Sequence, residues 1–161
     1  LADVLGGGMS SRLFQKVRED LGAAYYVKAG ADLLTDHGFC AVSAGVELTK
    51  MPMVVKAILS EMNCLTKDIV NAEELQKAKS HLTGKIILGL ESSDSLASYY
   101  GIQEILAEPI ITPQELIEKI EKVTAEEILS VAKELFRNSR LNLAVIGPVR
   151  NEEDLEKILH F

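Results

Sequence analysis

Apolar residues recur along this chain with two periods, one close to 3.6 and one close to 2. Leu1, Val4 and Leu5 stand at helical spacing at the very start. Leu13, Phe14 and Val17 then line one face of a helix predicted over residues 9–20, with Ser10 or Ser11 as its N-cap and Gly22 as its left-handed stop. Residues 23–31 and 38–47 are short, rich in aromatic, β-branched and small side chains, and separated by the turn-like Leu33-Leu34-Thr35-Asp36-His37. Together they predict an antiparallel hairpin. Pro52 opens a helix whose stripe of Val54, Val55, Ile58, Leu59, Met62 and Leu65 carries it to about Lys67.

The second half reads as helices that each announce their own start. Asn71 stands three residues before Glu74 and heads a stripe of Leu75, Ala78, Leu82 and Ile86. Ser92, Ser93 and Asp94 are cap candidates for a helix running through Leu96, Tyr99, Tyr100, Ile105 and Leu106 up to Pro109. Thr112-Pro113-Gln114-Glu115 and Thr124-Ala125-Glu126-Glu127 both fit a capping box, and an amphipathic helix follows each. Residues 141–147, LNLAVIG, predict a third strand stopped by Pro148, and residues 152–159 a short last helix. The expected architecture is α+β, an antiparallel sheet covered on one face by helices, in a single domain over residues 1–161.

Composition narrows the partners. The chain is 47% hydrophobic with a formal charge of −7, which fits a folded globular domain and repels phosphate backbones, so no nucleic acid is expected. No apolar run reaches the roughly twenty residues that span a bilayer. Cys40 and Cys64 are too few for a disulfide framework. They read as small buried hydrophobes in a reducing compartment, which leans toward the cytoplasm. The chain has no initiator Met and opens inside a predicted helix, the pattern expected of a piece of something longer.

Three kinds of chemistry have candidate residues in this sequence. Gly6-Gly7-Gly8 would suit a phosphate cradle only after a strand and before a Lys-Ser/Thr pair, whereas a helical segment precedes and Met9-Ser10-Ser11-Arg12 follows. Close packing or a helix break is the ordinary reading. The three histidines, His37, His81 and His160, have no second histidine at helical spacing, so no zinc site is expected in this chain. His81, four residues from Lys77 and from Lys85, reads as part of a solvated face. Arg18 and Tyr25 flank the turn at Gly22 and together offer a bidentate cation and a phenol suited to a carbonyl oxygen or oxyanion. Local sequence alone favours a plainer role, a dipole-favoured cation and a strand tyrosine.

Three segments tip that balance. GGGMSSRLFQKVREDLGAAYYV, LGLESSDSLASYYG, and TPQELIEKIEKVTAEEILSVAKELF followed by LNLAVIGP resemble, in order and over almost the whole chain, the second domain of the pitrilysin/insulinase-type zinc metallopeptidases. The branch they look most similar to is the small bacterial proteins akin to mitochondrial processing peptidase. The chain departs from relatives at Leu96, where Arg is common.

The resemblance implies two similar domains facing each other around a closed chamber. Zinc would be bound by the N-terminal domain through an inverted His-x-x-Glu-His motif, which is absent from this sequence. The chain then corresponds to the C-terminal half of a two-domain peptidase with its first strand missing. It implies that Arg18 and Tyr25 are substrate-binding, that the partner is a zinc-bearing domain in cis or a partner subunit, and that the substrate is a peptide or unfolded polypeptide. The fragment alone would be inactive. A non-catalytic scaffold subunit of the same family is the alternative. The unpaired sheet edge left by a missing strand also points to a homodimer.

Overall fold

The computed structural model describes residues 1–148 and 153–161. The hairpin forms as the alternation predicts. β1 (Ala24–Leu33) and β2 (Gly38–Val46) pair antiparallel, with Lys28 opposite Ser43 and Ala31 opposite Cys40. The Leu34 N–H donates to the His37 carbonyl at 2.9 Å to close the turn.

Seven α-helices accompany this hairpin among the described residues. They are α1 (Ala2–Gly6), α2 (Met51–Lys67), α3 (Ala72–Gly89), α4 (Ser93–Ile105), α5 (Pro113–Lys122), α6 (Ala125–Leu135) and α7 (Glu153–Glu156). A π-helix (Phe14–Asp20) lies between α1 and β1. The π-helix and α1 pack on β1, α2 packs against α6, and α3 packs against α1 and α5. The apolar faces of α1, the π-helix, α2 and α6 meet in a core in which Leu5, Leu13, Val17, Val54 and Leu65 are fully buried, and Met51, Val55 and Leu59 of α2 form a second, smaller cluster. Each such side chain contributes ~1.5–3 kcal/mol relative to exposure, so the core rather than helix propensity holds the layers together.

The four helix starts stand where the sequence puts them. Asn71, Ser92, Thr112 and Thr124 accept hydrogen bonds from the backbone N–H three residues on, at 2.8, 3.1, 3.2 and 3.2 Å. At Thr112 and Thr124 the glutamate side chain reaches back to the cap N–H, completing the capping box.

Elsewhere the structure corrects the reading. Residues 141–146 form no strand: they join no ladder among the described residues, and a groove lies between them and β2. Neither Ser10 nor Ser11 caps a helix. Ser11 Oγ instead donates to the Gly8 carbonyl at 2.5 Å, and the backbone after it winds into the π-helix. α4 stops at Ile105 rather than near Pro109, since Ala107 takes a left-handed φ of 54°. Cys40 and Cys64 are half-buried rather than buried. Of the expected last helix, residue 152 lies outside the described residues. No helix among the described residues is long and apolar enough to cross a membrane.

His81 is not on a solvated face. Its Nδ1–H donates to both carboxylate oxygens of Asp3, at 2.9 and 3.0 Å, tying α3 to α1. A second tie lies beside it, where Arg12 Nε and Nη2 donate to the two Glu74 carboxylate oxygens at 2.6 and 2.9 Å. Between these ties runs the glycine triplet, and its first member explains why glycine is needed. A Cβ on Gly6 would lie 2.4 Å from the Ala29 nitrogen of β1. The triplet is a packing device, with α1 resting on bare strand backbone.

These contacts predict opposite shifts in stability. Gly6→Ala must push backbone apart and is expected to cost about 1–3 kcal/mol in chemical denaturation. Ala107→Gly relieves a left-handed alanine and is expected to add about 0.5–1 kcal/mol. Glu74→Ala, which leaves a mostly buried guanidinium without its partner, is expected to cost ~1.5–3 kcal/mol. Combining it with Arg12→Ala should cost less than the sum of the two single changes in a double-mutant cycle.

Candidate functional site

Arg18 and Tyr25 are the two residues singled out by the sequence, and each sits on a backbone irregularity. The wide π-helical turn bonds the Leu21 N–H to the Lys16 carbonyl at 3.2 Å, five residues back. Val17 is driven fully into the core, and Arg18, next along the turn, is delivered to the surface. There its guanidinium lies 4.9 Å from the centre of the Phe14 ring. Such stacking is worth about 0.5–1 kcal/mol at an exposed site and orients the cation without using its hydrogen-bond donors. A π-turn of this kind is uncommon and is frequently found at functional sites.

After the π-helix the chain reverses at Gly22, whose φ of +52° is the left-handed value that glycine adopts freely. Lys50 Nζ donates to the Gly22 carbonyl at 3.3 Å and lies 3.8 Å from the Glu47 carboxylate, so the start of α2 holds the turn. Buried Ala23 follows, and then β1 begins with a break in register: Ala24 faces Val46 while Tyr26 faces Gly45. Tyr25 is the extra residue of this β-bulge. The bulge keeps Ala24 and Val27 toward the helices and leaves Tyr25 74% exposed. Tyr26 is different, since its ring covers Gly45, where a Cβ would come within 2.5 Å of it.

The structure therefore places both residues on adjoining elements that pack together, on either side of one fastened turn. Among the described residues no hydrogen bond joins them, and neither the Arg18 donors nor the Tyr25 hydroxyl is engaged by another side chain. A guanidinium and a phenol left in this way are donors available to a carbonyl oxygen or carboxylate. Sequence reasoning missed their supports. Phe14 falls on the apolar face of the predicted helix, and Lys50, 28 positions from the turn it holds, carries no local signal.

Other chemistry finds less footing. No group of three or more His, Cys, Asp or Glu side chains comes together among the described residues. His37 sits in the exposed hairpin turn, bonded to its neighbour Asp36 at 2.5 Å. Burial pushes the Cys40 thiol up from its ordinary value, which leaves little thiolate for nucleophilic work.

Comparison with known proteins agrees with this reading of the fold. Residues 1–82 match the family described as the peptidase M16 inactive domain. An uncharacterized zinc protease of Mycobacterium leprae is 35% identical over 159 residues, which is 99% of this chain and 36% of that protein. The uncharacterized zinc protease YmxG of Bacillus subtilis is 34% identical over 151 residues, 94% of this chain and 37% of that protein. The chain thus spans little more than a third of the length of these relatives. Among solved structures, a conserved protein from Enterococcus faecalis superposes with a TM-score of 0.71 at 29% identity, over 82% of this chain and 31% of that one. A peptidase M16 inactive domain from Pseudomonas fluorescens does so with a TM-score of 0.73 at 20% identity, over 83% and 32%, a likeness of fold. With the family match running through α1, the π-helix carrying Arg18, the bulge at Tyr25 and on into α3, this chain belongs to the peptidase M16 inactive-domain family.

Proposed function

We propose that this chain is the substrate-binding, chamber-closing half of a zinc-dependent endopeptidase. The catalytic metal would be held by a zinc-bearing domain, either in cis or on a partner subunit. The observation that carries the reading is the pair of uncommitted donors, Arg18 and Tyr25, each lifted off the packed face by its own irregularity. Relatives named zinc proteases support the reaction class.

In this reading the chain contributes positioning and electrostatics. Arg18 donates to a carbonyl oxygen or carboxylate of a bound peptide, its planar fork fixing the direction of approach. The Tyr25 hydroxyl donates to the scissile carbonyl oxygen as negative charge develops there, a bond that strengthens toward the transition state. The stacked Phe14 and the Lys50 tether keep both donors in place before substrate arrives, so little ordering is needed at the moment of reaction.

The test uses the full-length gene product. Tyr25→Phe is expected to lower kcat for peptide cleavage by about 10²–10³ with little change in KM, the pattern of a lost oxyanion donor. Arg18→Ala is expected to lower kcat/KM. Bound zinc, measured by elemental analysis, should equal that of the unaltered protein in both variants. Full activity in both would remove the assignment. An unaltered full-length protein with neither zinc nor peptidase activity would identify a scaffold subunit instead.

A further inference from the structure

We infer that Lys28, on the helix-free face of the hairpin, selects peptides that carry an acidic side chain close to the scissile bond. This deepens the reading given above for Arg18 and Tyr25 and rests on it.

The hairpin has two unlike faces. Val27, Cys40, Val42 and Ala44 point to the helices, where they belong to the apolar core or pack against it. Alternate positions point the other way, and Lys28, Gly30, Ala41 and Ser43 are exposed there. The register sets Lys28 opposite Ser43 and Gly30 opposite Ala41. A Cβ added at Gly30 would meet nothing within 4 Å, so the space beside Lys28 is open. Between Tyr26 and Phe39, Lys28 is the only long side chain on this face.

The charge of the face is simple. β2 contains no Asp, Glu, Lys or Arg, and β1 contains only Lys28 and Asp32. Asp32 stands four residues further along the strand, about 13 Å at the ordinary rise, which exceeds the screening length of physiological salt. Lys28 has no ion-pair partner among the described residues. A chain with a formal charge of −7 thus keeps an unpaired ammonium in the middle of an otherwise nearly uncharged surface. The complementary ligand is a carboxylate.

Continuity with the candidate site decides which carboxylate. Lys28 lies three residues beyond Tyr25, about 10 Å of extended strand, and the bulge turns Tyr25 out of the packed face. An extended peptide whose carbonyl oxygen is held by Tyr25 covers the same distance in about three residues. A side chain within three positions of the scissile bond therefore comes within reach of the ammonium. A carboxylate there gains an ion pair that strengthens as the peptide displaces water from the face, whereas a lysine is repelled. Lysine on a strand also discourages edge-to-edge pairing, but that role is indifferent to the charge of a substrate.

The test uses the full-length protein and a series of fluorogenic peptides that place Glu, Gln or Lys, one position at a time, within three residues on either side of the cleaved bond. At one or two positions kcat/KM is expected to favour Glu over Lys by about 5–20-fold, and the preference should shrink between about 0.05 M and 0.5 M salt. Lys28→Glu is expected to invert the order at those positions, Lys28→Gln to abolish it and Lys28→Arg to retain it. Circular dichroism checks that each variant is folded. An acid preference that survives Lys28→Glu, or no preference at any position in the unaltered protein, would overturn the inference while leaving the peptidase reading in place. Fluorescence anisotropy with the same peptides separates the two in the other direction. Tighter binding of Glu peptides that inverts in Lys28→Glu, without cleavage of any peptide, would keep the inference on binding and remove the peptidase reading. Equal affinity for Glu, Gln and Lys peptides, or binding of none, would overturn the inference.

Discussion

The approach of the Gly6 backbone to β1 at Ala29 is the constraint on which the rest of the structure depends. It lets the helical layer sit directly on strand backbone, with no side chain between. Once α1 rests there, the segment that follows has little freedom, because Arg12 and His81 tie it to α3 on either side. The core fills beneath through Leu5, Leu13 and Val17. A sheltered ion pair such as Arg12–Glu74 is weak evidence of net stability, since desolvation offsets much of the attraction. The value of both hydrogen-bonded ties lies in geometry, as each joins segments more than sixty residues apart in sequence.

From this anchored stretch the chain reaches Tyr25 through three departures from regular geometry: a π-turn, a left-handed glycine and a bulge. A regular helix running into a regular strand would obey strict alternation and send Tyr25 to the same side as Ala23 and Val27. The irregularities break that parity. Two polar side chains reach solvent while their immediate neighbours Val17 and Ala24 stay with the core.

How much of this was legible beforehand depended on the range of the interaction. The caps at Asn71, Ser92, Thr112 and Thr124 are written within four residues and were readable as such. The hairpin was readable from alternation and its turn. The His81 to Asp3 pair was not, because its partner lies 78 residues away and the nearby lysines suggested a solvent face. The strand expected at 141–147 failed for a related reason. Leu141 to Gly147 have strand composition, yet a strand exists only with a neighbour, and local sequence does not report whether the neighbour is present. At the candidate site, Arg18 and Tyr25 stand in a segment that carries the family resemblance, while the supporting roles of Phe14 and Lys50 depend on contacts that local sequence does not report.

The four capped helices between Asn71 and Leu135 carry a consequence for how the molecule assembles. Each has its own start signal, so the information that begins it is local, and the turns that separate α3 from α4 and α5 from α6 are short. Segments of low contact order form on fast timescales. The sheet half is different, since α1 must find both β1 and α3 before its small burial is worth anything. The helical half, whose start signals are local, is thus a surface against which the half built from long-range contacts can pack.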